Sequence, residues 1–282
     1  MPTDKTYPII LAHGIARFDV LSNGLFKIDN DDEDDDKHYF RNIRTHLQDH
    51  GYTVRHTNVD WAGSLKKRAQ DLKPQVEAIL AKFGVEKVHI IGHSMGGLDT
   101  RQMLWANRGG KFHEKIASLT TIGTPHRGSS FADFLTKNLK DTSDFGMALA
   151  GVRDLTTAAM ARFNDKTASF EDGCGVQFQA YAGQQRALFI FTPLKFPSAV
   201  IEKKEGPNDG FVSVKSARWK KKYFVEPVLD ADHLNQIGWW DLSEAWQGVD
   251  RKQLEERIKA FYLGICDGLA AKFPASAEAR VS

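Results

Sequence analysis

The sequence predicts an α/β protein built on a mostly parallel sheet, with helices on both faces and one helical insertion. Short apolar runs alternate with stripes of helical spacing, the order a covered parallel sheet requires. One run ends directly on Gly92-His93-Ser94-Met95-Gly96, a turn sequence between a buried strand and a helix. The segment 129–170 breaks the alternation, being helical in character and unusually apolar for a surface excursion.

The elements follow in order. Tyr7 to Ala12 reads as a buried strand ending at His13-Gly14. Phe40, Ile43 and Leu47 mark a helix face that stops at Gly51, and Tyr52 to Val59 is β-rich. Leu65, Ala69, Leu72, Val76, Ile79, Leu80 and Phe83 step by three and four, so this stretch is an amphipathic helix. Pro74 is expected to kink it and Gly84 to close it. Further strands are expected at Val88 to Ile91, Ile116 to Ile122, Val176 to Ala182 and Tyr223 to Leu229. Between the last two, 188–201 is apolar, with Pro193 and Pro197 expected to prevent a regular helix. Leu254, Ile258, Phe261, Ile265 and Leu269 form a final helical stripe. There is no internal repeat, Gly/Ser linker or composition break, so residues 1–282 read as one domain carrying the 129–170 insertion.

Composition narrows the class. With 282 residues, 41% hydrophobic and 26% charged, the chain is neither disordered nor collagen-like and is long enough for a sizeable core. Cys174 and Cys266 allow at most one bridge, which excludes a disulfide scaffold. The net charge of +2 hides seven acidic groups within 29–36, and setting these aside leaves +9 on the rest. Basic clusters at Lys66, Lys67, Arg68 and at Lys220, Lys221, Lys222 lack any nucleic-acid motif and read as solvated faces. No apolar run reaches the roughly 18 residues that span a bilayer. The N-terminal stretch runs straight into the first strand and does not read as a signal peptide.

The G-x-S-x-G turn carries the chemistry. Its glycines let the chain turn so tightly that Ser94 projects at the N-terminus of the next helix, where N–H groups favour developing negative charge. A serine nucleophile needs a base, and the base needs an orienting acid, in the chain order Ser, Asp or Glu, His. Of the downstream histidines, His113 comes too early and His126 precedes any plausible acid. His233 follows the last strand-like run. Asp209, in the constrained turn Gly206 to Gly210, is the favoured acid, with Glu205 as fallback; Asp230 and Asp232 are too close in sequence to His233. The oxyanion donors are expected to be the N–H groups of Met95 and Ile15, with His13 structural.

These segments resemble a known family. ILAHGI, VHIIGHSMGGLDTR, TIGTPHRGS, NDGFVSV and DHLNQIGW match, in order and over about residues 7–240, the motif set of bacterial triacylglycerol lipases of the true-lipase family, which have the α/β-hydrolase fold. The resemblance implies the same five residues, Ser94, Asp209, His233, Ile15 and Met95. It also implies hydrolysis of fatty-acid esters, a lipid or ester substrate at a lipid–water interface, and a mobile lid. Acyl transfer or thioester hydrolysis on the same triad is the alternative; a non-catalytic binding role is the weaker one. Phe131, Phe134, Leu135, Phe189 and Phe191 are the expected substrate or lid residues. Many members of the family hold a structural calcium, but the corresponding positions here are Phe189 and Asn235, so no cofactor or metal is expected. The acidic run resembles an EF-hand only in charge and is expected to be a solvated loop.

Overall fold

The computed structural model of the chain describes residues 5–15, 35–60, 62–138, 146–240 and 250–275. Positions 29–34 of the acidic run, and Leu139 and Phe145 of the apolar insertion, lie outside the described residues. Five strands, β1 (Ile9–Ala12), β2 (Val54–Thr57), β3 (Val88–His93), β4 (Ile116–Ile122) and β5 (Gln177–Tyr181), form one parallel sheet in the order β2-β1-β3-β4-β5. β1 lies inside the sheet, with Ile9 opposite Val54 on one side and His89 on the other.

The period of two along β1 divides the core. Ile9 and Leu11 face helices α1 (Ile43–Asp49) and α9 (Arg251–Lys272), where they meet Phe40, Ile43, Leu47, Ile258, Tyr262 and Leu269. Ile10 and Ala12 face the opposite layer and meet Leu72, Val76 and Leu80 of α2 (Leu65–Phe83) and Met103 and Leu104 of α3 (Met95–Ala106). Every residue of β1, β3 and β4 is buried, as strands covered on both faces must be. Each fully buried Leu or Ile contributes about 1.5–3 kcal/mol, so these two clusters are the main source of cohesion.

α2 runs through Pro74 as one helix, capped by Ser64 and closed by Gly84 in the left-handed region, as the spacing predicts. The insertion consists of α4 (Ser130–Asn138), α5 (Gly146–Asp154) and α6 (Thr157–Gly173). Leu155, Met160 and Phe163 bury against Met95 and Leu98 of α3. The insertion is thus seated on the helix that follows the serine turn.

Four expectations are corrected. The stretch 188–201 enters a regular helix, α7 (Lys195–Glu205), which precedes the short α8 (Val214–Ala217), because Pro197 falls in the first turn of α7, where an N–H has no intrahelical partner. Tyr223 to Leu229 is not a full strand. Only β7 (Leu229–Asp230) pairs, with β6 (Gly183–Gln184), and Phe224 makes a single bridge to Ala180; Pro227 supplies no ladder donor. Asp35, in the acidic run, is buried and accepts from the Thr45 backbone N–H at 3.1 Å and its hydroxyl at 2.6 Å, fastening the first turn of α1. Arg68, in the basic cluster read as solvated, is wholly buried and ion-paired with Asp99 at 2.7 Å. Cys174 and Cys266 are free thiols.

Candidate active site

β3 delivers His93 and Ser94 at its carboxyl end, and α3 begins at Met95. Ser94 has φ 54 and ψ −129, a combination that costs an L-residue on the order of 1–3 kcal/mol. The turn is held from both sides: Ser94 N–H donates to Ile122 C=O at 3.0 Å, and Ser94 C=O accepts from the Thr124 hydroxyl at 2.8 Å. Met95 is the first residue of α3, so its N–H has no intrahelical acceptor.

The loop after β1 closes over the serine. A Cβ on Gly14 would stand 2.6 Å from Ser94 Cβ and 3.0 Å from Ser94 Oγ, and a Cβ on Gly96 would collide with the Ala12 carbonyl. Glycine at both places is what allows the two turns to touch. The loop is wired into the core. His13 Nε2 accepts from Val59 N–H at 3.1 Å, and His13 Nδ1 lies 2.8 Å from the Gly14 carbonyl oxygen. Arg68 donates to the His13 carbonyl at 2.9 Å while its fork grips Asp99 of α3 at 2.7–3.0 Å. Loop and elbow helix therefore share one buried ion pair. Ile15 packs beside Leu65, Met95 and Leu98.

His13 is held neutral. Burial, and then the Arg68 charge, push its imidazole down to about 3; burial alone pushes His89 down to about 4. The unfolded chain, with ordinary imidazoles near 6.5, takes up these protons first as the pH falls. This part of the stability is fully present above about pH 6.5 and shrinks on acidification towards those lowered values. At pH 5 each histidine withdraws about 2 kcal/mol. Calorimetry at pH 7.5 and 5.0 is expected to show a Tm lower by on the order of ten degrees at pH 5. A flat Tm would contradict neutral burial of these rings.

Asp209 and His233 meet beyond β5. His233 Nδ1 lies 2.8 Å from Asp209 Oδ2, and His233 N–H donates to the Asp209 carbonyl at 2.7 Å. Asp209 is wholly buried, yet its charge is met: Oδ1 accepts the N–H groups of Phe211 at 3.0 Å and Val212 at 2.7 Å, and Oδ2 accepts Gln236 Nε2 at 2.9 Å. The His233 ring stands 4.5 Å from that of His93, the residue before Ser94. The structure thus brings the neighbourhood of Ser94 to a preformed Asp209–His233 pair.

The rejected candidates are engaged elsewhere. Glu205 accepts from Ser130 N–H and the Ser213 hydroxyl. Asp232 accepts from the N–H groups of Phe191, Leu234 and Asn235. His126 is buried between Arg101 and Thr121 and stacks on Trp219 at 4.3 Å.

An aromatic path leads away from the histidine. Phe211 sets its ring at 89° to His233, with centroids 5.4 Å apart; Phe131 follows at 6.1 Å from Phe211. Phe134 and Phe196 close the cluster, and Phe196 is 58% exposed. Of the expected substrate residues, Phe131 and Phe134 stand in this path and Leu135 is half-buried on the same helix. Phe191 packs on the α1–α9 core cluster, and the Arg186 guanidinium lies over Phe189. Phe211, Phe196 and Gln236 escaped sequence reasoning. Phe211, two residues after Asp209, was the one with a signal, in the NDGFVSV motif.

Comparison with known proteins agrees with this architecture. A sequence model of the α/β hydrolase fold matches residues 7–238. The chain is 30% identical to triacylglycerol lipase 2 of Saccharomyces cerevisiae over 311 aligned positions, covering 94% of this chain and 91% of the yeast protein. A triacylglycerol lipase of Pseudarthrobacter phenanthrenivorans is 32% identical over 216 positions, 65% of this chain and 62% of that protein. The structure of EstA from Clostridium botulinum matches with a TM-score of 0.67 at 16% identity, covering 96% of this chain and 88% of that one. With sheet, serine turn and relatives in agreement, the chain belongs to the α/β-hydrolase fold family, as a lipase-like carboxylic ester hydrolase.

Proposed function

We propose that this hydrolase cleaves fatty-acyl esters through Ser94 as nucleophile, His233 as general base and Asp209 as orienting acid. The observation that carries the reading is the hydrogen-bonded Asp209–His233 pair beside a strained elbow serine, with an aromatic path starting at the histidine ring. Asp209 accepting Nδ1–H leaves His233 Nε2 bare. That nitrogen takes the Ser94 proton as Oγ attacks the ester carbonyl. The oxyanion is stabilised by the N–H groups of Met95 and Ile15, with Gly14 allowing their close approach. His233 then protonates the leaving alcohol, and a water deprotonated by the same ring releases the acid from the acyl-enzyme.

The acyl chain runs along Phe211, Phe131, Phe134 and Phe196 towards the surface, between α4 and α7. Each methylene taken from water adds about 0.8 kcal/mol, so this wall favours longer chains. α4 to α6 act as a cap or lid over it, supported by their seat on α3. The test is a series of p-nitrophenyl esters from acetate to palmitate beside an emulsified triglyceride. Turnover is expected to rise once long-chain substrate forms droplets. Phe131→Ser and Phe134→Ser are each expected to lower long-chain kcat/KM about tenfold or more while changing acetate turnover less than about twofold. Equal losses on both substrates would make the aromatic path structural, and smooth saturation through the solubility limit would make the protein an esterase rather than a lipase.

The residues present do not fit the calcium that the lipase resemblance implies, and no step is assigned to a metal. Asn235 Oδ1 accepts from Asp232 N–H and its Nδ2 donates to Trp239 C=O, each at 3.1 Å, while Phe189 offers no side-chain oxygen. Asn235 closes the histidine loop itself, the place where a hard cation would need a charged oxygen. EDTA at millimolar concentration is therefore expected to change activity by less than about a fifth and Tm by less than about two degrees. A calcium-reversible collapse of either would refute this.

A further inference from the structure

One buried amide in the site has no part in the chemistry proposed above. Gln236 lies in the turn Asn235–Ile237, three residues after His233, and is wholly buried. Its Nε2 donates to Asp209 Oδ2, the same oxygen that receives His233 Nδ1. Its Oε1 and the Nε2 of the neighbouring His93 ring are both buried without a hydrogen-bond partner among the described residues. His93 Nδ1 in turn lies 2.7 Å from the Tyr39 hydroxyl, which stands against Gly14 of the loop over Ser94.

The surroundings are shaped for this amide. A Cβ on Gly123, at the end of β4, would collide with Gln236 Oε1 and come within 3.0 Å of Asp209 Oδ2. A Cβ on Gly183, in β6, would collide with Nε2. Glycines on two different elements thus leave the volume the amide fills. From behind, Tyr262 of α9 donates to the Gln236 carbonyl at 3.1 Å. The bonding also orders the protons. A carboxylate oxygen can only accept, so the amide NH₂ must point at Asp209. Oε1 is then the atom left beside Gly123.

We propose that Gln236 is a positioning residue for the reaction: it locks the rotamer of Asp209 and shares the charge on Oδ2, so that His233 is aimed at Ser94. The inference rests on the triad reading above. With Gln236 donating, part of the Oδ2 charge is spent on a neutral amide. Without it, more of that charge falls on the His233 Nδ1–H bond, which favours the imidazolium and moves the acid limb of the pH profile upwards. The titratable groups facing the pair are His93 from β3 and, through it, Tyr39; Asp232, in the same loop, directs its carboxylate to backbone N–H groups. Burial and the neighbouring His233 keep His93 neutral, so it adds no competing charge.

The experiment compares Gln236→Met, Gln236→Glu and Asp209→Asn with the wild-type enzyme on p-nitrophenyl butyrate from pH 5 to 9, with Tm measured alongside. Gln236→Met is expected to lower kcat by about ten- to a hundredfold with KM changed less than about twofold, and to raise the acid limb by about half a pH unit. Gln236→Glu keeps the shape but sets a second carboxylate against Asp209, so its acid limb moves up further, by about one unit or more. A purely structural role would lower Tm and yield without moving the limb. A Gln236→Met enzyme with wild-type kcat and limb overturns the inference. If that variant does not fold, an unmoved limb in Gln236→Glu does the same. Asp209→Asn separates the two readings: if it stays active the triad reading falls, whereas a crippled Asp209→Asn beside an unaffected Gln236→Met removes Gln236 alone.

Discussion

Ser94→Ala is expected to lower kcat for any ester by at least about four orders of magnitude and to leave the fold intact. Alanine keeps the Cβ that the turn already tolerates and removes only Oγ. The Ile122 and Thr124 bonds, which hold the turn by its backbone, survive the change. Ser94→Gly sharpens the experiment. At φ 54 and ψ −129 a glycine relieves the strain that serine bears, so this variant is expected to be equally inactive yet more stable by about 1 kcal/mol. Its thermal midpoint should rise by about 2–4 °C. A folded Ser94→Ala protein keeping more than about a tenth of wild-type activity would end the serine mechanism. A Ser94→Gly protein less stable than wild type would show that the elbow strain is not stored at this residue.

His233→Ala and Asp209→Asn are each expected to reduce kcat by about three to five orders of magnitude, with the double variant little worse than His233→Ala alone. Under the proposed roles the residues act as one unit, so the second loss removes nothing still in use. Asparagine at 209 keeps an oxygen for the N–H groups of Phe211 and Val212, so the turn should hold. It presents an amide to His233 and disturbs the tautomer that leaves Nε2 bare. Glu205→Gln is the control, because Glu205 is engaged by Ser130 and Ser213. Additive losses would dissolve the unit. An active Asp209→Asn with a dead Glu205→Gln would move the acid to Glu205.

What the sequence made legible follows from how local each feature is. The serine turn is contiguous, and its strand and helix neighbours are written on either side of it; hence Gly92 to Gly96 could be read with its context. The five sheet strands and α2 were visible because burial on two faces, or on one stripe, leaves a periodic mark. Non-local features left none. Arg68 looked like part of a surface run, since nothing near it in sequence announces Asp99, 31 residues away, as its partner. Pro197 was read as a helix breaker because its effect depends on where the helix starts, which is set by packing and not by the proline. The missing strand at 223–228 has β-rich residues but only a single bridge to the sheet. Gln236 and Phe211 are ordinary residues until folding places one on the Asp209 carboxylate and the other on the His233 ring.

The strand order has a consequence for the protein's birth. Ribosomes deliver the chain from its N-terminus at about 5–20 residues per second. The strained serine, the strand β3 that delivers it and the loop that closes over it belong to the first hundred residues, and β4 completes their bed soon afterwards. The proposed acid and base, Asp209 and His233, arrive more than a hundred residues later, and the turn that follows His233 is fastened by Tyr262 of α9. Under the proposed roles, a nascent or truncated chain that stops short of these residues carries its nucleophile without the means to ionise it. Under those roles ester hydrolysis begins only once the chain has been made and docked through α9, so enzymatic activity in a cell extract counts molecules folded that far and is blind to shorter ones.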